Sequence, residues 1–235
     1  MLLENILSAG FAELGIVPDA AAYARYRTYF EHLEKMNSVM NLTAISGETD
    51  VARLHFLDCA ALLGLTDFCG KSVIDIGTGA GFPGLVLKIA SPDIRLTLLD
   101  SLDKRIGFLR ETCAMLGLDG VECIHARAEE APENLRAGFD IAVSRAVARL
   151  NLLCELCLPQ VKKGGVFVAM KGPDCVNELD EAQRAIRLLG GEVEAVRKYT
   201  VPGTDVTHSA VIIRKHSDTP AKYPRRWAQI KKQPL

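Results

Sequence analysis

A chain of 235 residues with 49% hydrophobic and 24% charged side chains is long enough to bury a substantial core. Charges break every apolar run well short of the ~20 residues a membrane-crossing helix needs. Glu4 follows the start with no basic stretch before it, and the seven cysteines are an odd number scattered along the chain, so the expectation is a cytoplasmic protein with reduced thiols, no membrane partner and no signal peptide.

Residues 1–66 read as a helical extension. Asp19 is placed to cap a long amphipathic helix whose Tyr23, Tyr26, Phe30, Leu33 and Met40 fall on roughly one stripe, a packing face. A loop at Asn41-Leu-Thr-Ala-Ile45 follows, and a second helix is predicted from Thr49 to about Leu65.

From Lys71 the pattern alternates. Strands are predicted at 72–76, 94–100, 121–126, 139–144 and 164–170, with helices near 83–91, 103–117, 148–158 and 175–189. Strands 192–200 and 207–214 then follow with no helix between them. The alternation predicts an α/β core over 67–215: a Rossmann-like, mostly parallel sheet of seven strands with one antiparallel edge strand.

The most informative stretch is Val73-Ile-Asp-Ile-Gly-Thr-Gly-Ala-Gly-Phe-Pro-Gly84. Val73, Ile74 and Ile76 form a short buried strand, and the glycines allow a tight turn that a ligand can approach closely. Pro83 suits the first turn of a helix. The segment satisfies GxGxxG from Gly79 to Gly84, a weak signal alone. Its fuller form, Asp75 two residues ahead of Gly77, Gly79 and Gly81, is typical of S-adenosylmethionine (SAM) methyltransferases. Asp100 closes the next strand, where a carboxylate can accept both hydroxyls of a ribose, which suits NAD and SAM alike.

Ligands of such sheets sit at the carboxyl ends of the strands. The residues there are Gly77–Phe82, Asp100-Ser101, Arg127-Ala128-Glu129, Ser144-Arg145-Ala146 and Lys171-Gly172. Phe82 is expected to wall the adenine or methionine portion. Ala128 and Glu129 are expected to meet the adenine, and Arg145 to bind a carboxylate or phosphate. Lys171 and Glu129 can equally be ordinary strand-end and helix-start charges. Cys154-Glu-Leu-Cys157 has no second CxxC or histidine cluster to complete a metal site, and its helical spacing makes it core; no metal is expected.

From Arg214 onward seven Lys and Arg side chains face one acid, Asp218, so this end is +6; the residues before it hold 21 basic and 28 acidic side chains, or −7. A basic tail over 216–235 on an acidic body suits a polyanion. Tyr223 and Trp227, interleaved with Arg225 and Arg226, favour nucleic acid, because aromatic faces stack on bases.

Taken together, these residues resemble the RsmG family, also called glucose-inhibited division protein B. The resemblance spans most of the chain. It rests on Asn41-Leu-Thr-Ala-Ile, His55-Phe-Leu-Asp, the Asp75–Gly84 turn, Leu99-Asp-Ser-Leu, Lys104-Arg-Ile, Ala126-Arg-Ala-Glu-Glu, Ser144-Arg-Ala, Lys171-Gly and Tyr223-Pro-Arg-Arg…Lys-Lys-Gln-Pro-Leu. Asp103, Gly107 and the Trp227 segment depart from the usual pattern, away from the expected cofactor contacts. The resemblance implies a bacterial SAM-dependent methyltransferase acting on guanine N7 in 16S rRNA of the small ribosomal subunit. It implies SAM at Gly77, Phe82, Ala128, Glu129 and Arg145, and a role in binding or activity for Arg127 and Arg145. Gly79 and Asp100 join the expected cofactor set from the turn itself. Arg225 and Arg226 are the expected RNA contacts, and a monomer is expected. The chain has no Asn/Asp-Pro-Pro-aromatic turn after the fourth strand and no Pro-Cys at a strand end, in keeping with a reaction that needs neither proton abstraction nor a covalent intermediate. Two alternatives remain at this level: a SAM methyltransferase for protein or small molecules, and a SAM-binding RNA or assembly factor.

Overall fold

Alternate residues of the central strands feed two separate cores, which is what a sheet covered on both faces requires. In a computed structural model that describes residues 2–235, Val73, Ile141 and Val143 enter one core while Ile74, Ile76 and Ala142 enter the other. The seven strands are β1 (Ser72–Ile76), β2 (Arg95–Asp100), β3 (Val121–His125), β4 (Phe139–Arg145), β5 (Val161–Lys171), β6 (Gly191–Thr200) and β7 (Thr207–Lys215). Their order is β3-β2-β1-β4-β5-β7-β6. The first five are parallel, and β7 is the antiparallel strand, inserted beside β5 at the β6 side of the sheet.

The first core is covered by α1 (Leu2–Glu13), α2 (Ala20–Met40) and the helical stretch from Glu48, together with α5 (Gly84–Ala90) and α6 (Asp103–Leu116). Asp19 caps α2 as expected, accepting the Ala22 amide at 2.7 Å. Tyr26 and Tyr29 are fully buried, and their hydroxyls donate to the carbonyls of Val86 and Ala80. The aromatic stripe therefore fastens the extension onto the helix that follows the glycine turn.

The predicted helix 49–65 is not uniform. It begins as α3 (Glu48–Val51), widens to a π-helical stretch at Ala52–Leu57, and continues as α4 (Asp58–Ala60) and a 3₁₀ turn at Ala61–Gly64. Such widened turns recur at functional sites, and this one carries His55.

The second core is covered by α7 (Leu150–Cys157), α8 (Val176–Leu188) and α9 (Trp227–Lys232). Cys154 and Cys157 are buried in it. The C-terminal segment is folded onto this face. Lys215 is 2% exposed and donates to the carbonyls of Leu158 and Leu189. Arg136 donates to the carbonyls of Tyr223 and Thr219 at 2.7 and 2.8 Å. Lys222, Arg226, Lys231 and Lys232 are exposed. Arg225, one of the two expected RNA contacts, is not: its guanidinium and amide grip the buried Glu155 carboxylate. No described helix is long and apolar enough to cross a membrane.

Candidate functional site

Parallel pairing aligns the carboxyl ends of β1, β2 and β4, with Ile76 opposite Leu99 and Asp75 opposite Val143. The chain leaves β1 through three glycines with positive φ: Gly77 at 70°, Gly79 at 61° and Gly81 at 104°. L-residues with a side chain avoid that region. Asp75 organises the turn from below. One of its carboxylate oxygens accepts the Thr78 hydroxyl at 2.7 Å and the Gly84 amide, at the start of α5, at 2.8 Å. Burial pushes its pKa up to about 6, against the pull of these two hydrogen bonds.

Asp100 is also committed to the backbone. It accepts the Gly79 amide and the Leu102 amide, both at 2.9 Å, with Arg105 at 3.4 Å. It thereby ties the glycine turn to the end of β2.

Above these strand ends lies a cleft of about 360 Å³, within the range of small-molecule sites. Its lining includes Gly77, Asp100, Arg127, Ala128, Glu129 and Trp227. The Glu129 side chain is 6% exposed, whereas Arg127 is 57% exposed and lies 3.9 Å from Glu129. Phe82 is absent from this lining. It is buried in an aromatic group, stacked on His55 with ring centroids 4.2 Å apart and flanked by Tyr29 and Phe56. The expected wall is thus part of the joint to the helical extension.

Arg145 also faces away from the cleft. Its guanidinium lies over Phe82, 4.9 Å from the ring centroid, and donates to the Leu54 carbonyl, the Asp58 carboxylate and His55 Nδ1 at 3.1, 3.2 and 2.8 Å. Arginine only donates, so His55 Nδ1 accepts and its Nε2–H is given to the Thr43 hydroxyl at 2.8 Å. Burial, and then the Arg145 charge, lower the His55 pKa to about 3. The native state therefore binds fewer protons than the unfolded chain between that value and the ordinary 6.5. The stabilisation is complete above about pH 6.5 and is lost as pH falls toward 3, at about 1.4 kcal/mol per pH unit from this residue. Urea unfolding of wild type and His55→Asn across pH 7 to 4 is expected to show the shallower slope in the variant.

Arg145 and Asp58 line a second cavity of about 510 Å³, with Ile45, Leu54, Met170, Lys171 and His208. The two cavities meet at Ala146, which lines both and holds a φ of 56°, unusual for a residue with a side chain. The loop carrying Ala146 is braced on each side. Arg145 is held as above, Lys171 donates to the Ala148 carbonyl at 2.8 Å and to Glu178 at 2.7 Å, and Glu178 accepts the Leu150 amide at 2.9 Å.

Sequence reasoning gave no role to Asp58, Tyr199 and His208, and read Trp227 as a base-stacking ring, whereas the structure sets it on the cleft lining. Asp58 accepts Tyr199 Oη at 2.9 Å and His208 Nδ1 at 2.8 Å. A signal existed for one pair: His55 and Asp58, three residues apart in a helix, share a face. Among the described residues no group of three or more His, Cys, Asp or Glu is placed to hold a metal ion.

The family model for GidB, rRNA small subunit methyltransferase G, matches residues 22–206. The chain belongs to this family. It is 46% identical over 238 residues to Ribosomal RNA small subunit methyltransferase G of Alkaliphilus oremlandii (strain OhILAs), covering 100% of both chains. It is 43% identical over 234 residues to the protein of that name from Clostridium botulinum (strain Loch Maree / Type A3), covering 98% of each. A solved methyltransferase from Pyrococcus furiosus shares the fold, with a TM-score of 0.59 at 14% identity over 83% of this chain and 99% of that one. The family calls for SAM as methyl donor. The residues fit it: an acid stands at the end of β2, Gly77 of the turn lines the cleft, and Gly79, outside that lining, has no protein atom within 4 Å of a Cβ built on it, so a ligand extending from the cleft can approach the turn.

Proposed function

We propose that this protein transfers the methyl group of SAM to N7 of a guanine in 16S rRNA, acting on the small ribosomal subunit or an assembly intermediate, as a monomer. The observation that carries this reading is the pair of cavities meeting at Ala146, a cofactor-sized cleft on one side and a second ligand space on the other. SAM, when bound, supplies an electrophilic methyl. Guanine N7 has a lone pair and no proton, so direct displacement needs no general base. The chain's task is to hold two ligands in line, and effective concentration and orientation supply the rate. The buried braces on the 145–150 loop suit that task, since none offers a nucleophile or a free base. Radiolabelled SAM with rRNA from a strain lacking the enzyme tests the reading: label is expected in 7-methylguanosine, and an RNA that stays unlabelled, or a labelled protein, would refute it.

Arg127, exposed beside Glu129, is assigned to an RNA phosphate. Among the tail residues, Lys222, Arg226, Lys231 and Lys232 are free to meet RNA, whereas Arg225 holds the tail to Glu155. Neutralising those four is expected to weaken RNA binding and to lower the log–log salt slope by about 0.7–0.9 per lost phosphate contact. SAM affinity should hold. Trp227→Ala should do the opposite, weakening SAM by about 0.5–1.5 kcal/mol through the lost ring surface in the cleft while leaving the salt slope alone. Filter binding at several salt concentrations, with calorimetry for SAM, separates the two effects.

A further inference from the structure

The second cavity has no assigned occupant. Its walls are mainly apolar, from Ile45, Leu54, Met170 and Val206, and two imidazoles stand among them: His55, whose nitrogens are taken by Arg145 and Thr43, and His208. The antiparallel course of β7 brings it there. Met170 and Lys171 at the carboxyl end of β5 pair with Ala210 and Ser209, so β7 begins at the edge where the parallel strands end. His208 Nδ1 is 2.8 Å from Asp58, which is 1% exposed, while the imidazole side chain is 30% exposed. The ring therefore turns one nitrogen to the buried acid and leaves Nε2 on the open side. Asp58 accepts, so Nδ1 carries the proton and neutral His208 presents a lone pair at Nε2.

We infer that this cavity takes the target guanine, with His208 Nε2 accepting a hydrogen bond from the N1–H and 2-amino edge while N7 faces Ala146 and the cofactor cleft. The inference rests on the guanine-N7 reading above. A purine is flat and apolar on both faces, matching the aliphatic walls, and enzymes that act on a base commonly take it out of the stack into such a pocket. The acceptor discriminates. Guanine offers N–H donors on that edge, whereas adenine offers an acceptor at N1 and would leave Nε2 facing a lone pair. The contact also strengthens along the reaction. Methyl transfer makes the purine cationic, N1–H becomes more acidic, and its hydrogen bond to Nε2 tightens in the transition state. Asp58 is a positioning residue that fixes the tautomer, held in turn by Arg145 and Tyr199.

The charged and titratable groups around His208 are Asp58, Arg145, Tyr199 across the β6–β7 pair, and Lys171 and His55 on the cavity wall. The hydrogen bond to Asp58 raises the imidazole pKa. Protonation turns Nε2 into a donor, so kcat/KM for RNA should fall on the acid side of a pKa above 6.5.

The test uses the full chain and rRNA from a strain lacking the enzyme, with methyl transfer measured from pH 6 to 9 and SAM affinity measured by calorimetry. His208→Ala is expected to lower kcat/KM for RNA about 10- to 100-fold with SAM affinity unchanged. His208→Gln, which returns an acceptor near the same place, should recover part of the loss and abolish the acid limb. An Ala variant as active as wild type, a loss that tracks SAM affinity, or an acid limb that persists in the Gln variant would each overturn the assignment. If wild type forms no 7-methylguanosine, the guanine-N7 reading itself falls, and this assignment with it.

Discussion

Arg145→Ala and Arg127→Ala are both expected to cut methyl transfer strongly, at least about 100-fold for Arg145, but by different routes. Arg145 is 16% exposed and paired with an Asp58 side chain that is 2% exposed. Removing it strips partners from Asp58, His55 Nδ1 and the Leu54 carbonyl together. Breaking a buried pair of this kind costs about 3–5 kcal/mol, a large part of the roughly 5–15 kcal/mol that holds a domain folded. A lowered melting temperature should accompany the lost activity. Arg145→Lys should rescue little, because an ammonium cannot make three contacts in the fork of a guanidinium. Arg127 is exposed, so its Ala variant should melt within ~0.5 kcal/mol of wild type while losing RNA turnover. Thermal unfolding beside single-turnover methylation distinguishes them. Equal stability of the two variants would show that the buried network around Arg145 is not holding the extension to the sheet.

The second large effect concerns the glycine turn. Gly77→Asp places a Cβ 2.5 Å from Val147 Cγ2 at a φ of 70°. The left-handed backbone costs about 1–2 kcal/mol, and the exposed Val147 side chain must move to make room. Val147 lines the cleft proposed for SAM, so the strain is transmitted into it, and SAM affinity should fall at least about 100-fold, equivalent to about 2.7 kcal/mol. Gly79→Val is the complementary case. Its Cβ meets no protein atom within 4 Å, so beyond the φ penalty the fold should tolerate it, while the valine occupies the space beside the turn. Circular dichroism together with SAM calorimetry reads both variants. Undiminished SAM affinity in Gly79→Val would mean that the ligand does not approach the turn there.

The residues around the cleft at the strand ends were legible because they lie in local sequence. Alternating glycines after a β-branched strand, and an acid at the end of the next strand, sit within a few residues of their neighbours in the fold. Arg145 shows the limit of that reasoning. Its place after β4 was readable, yet its partners were not, because Leu54, His55 and Asp58 lie about 90 residues earlier and reach it only when the extension docks on the sheet. Phe82 was drawn away from the cleft for the same reason, as His55 offered it a stacking face.

What this sequence determines alone is the strand–helix alternation, the positive-φ turn and the family, since each depends on short-range spacing and on residue types that few other backbones need. Only the tertiary structure decided which charges are free. Arg225 and Lys215 look like members of a basic tail until Glu155 is found around the first and two carbonyls around the second. His208 looks like a lone imidazole until the reversed direction of β7 sets it beside Asp58, 150 residues away in the chain. Desolvation and pairing are properties of neighbours, and the neighbours here are supplied by the sheet order and the docked ends of the chain.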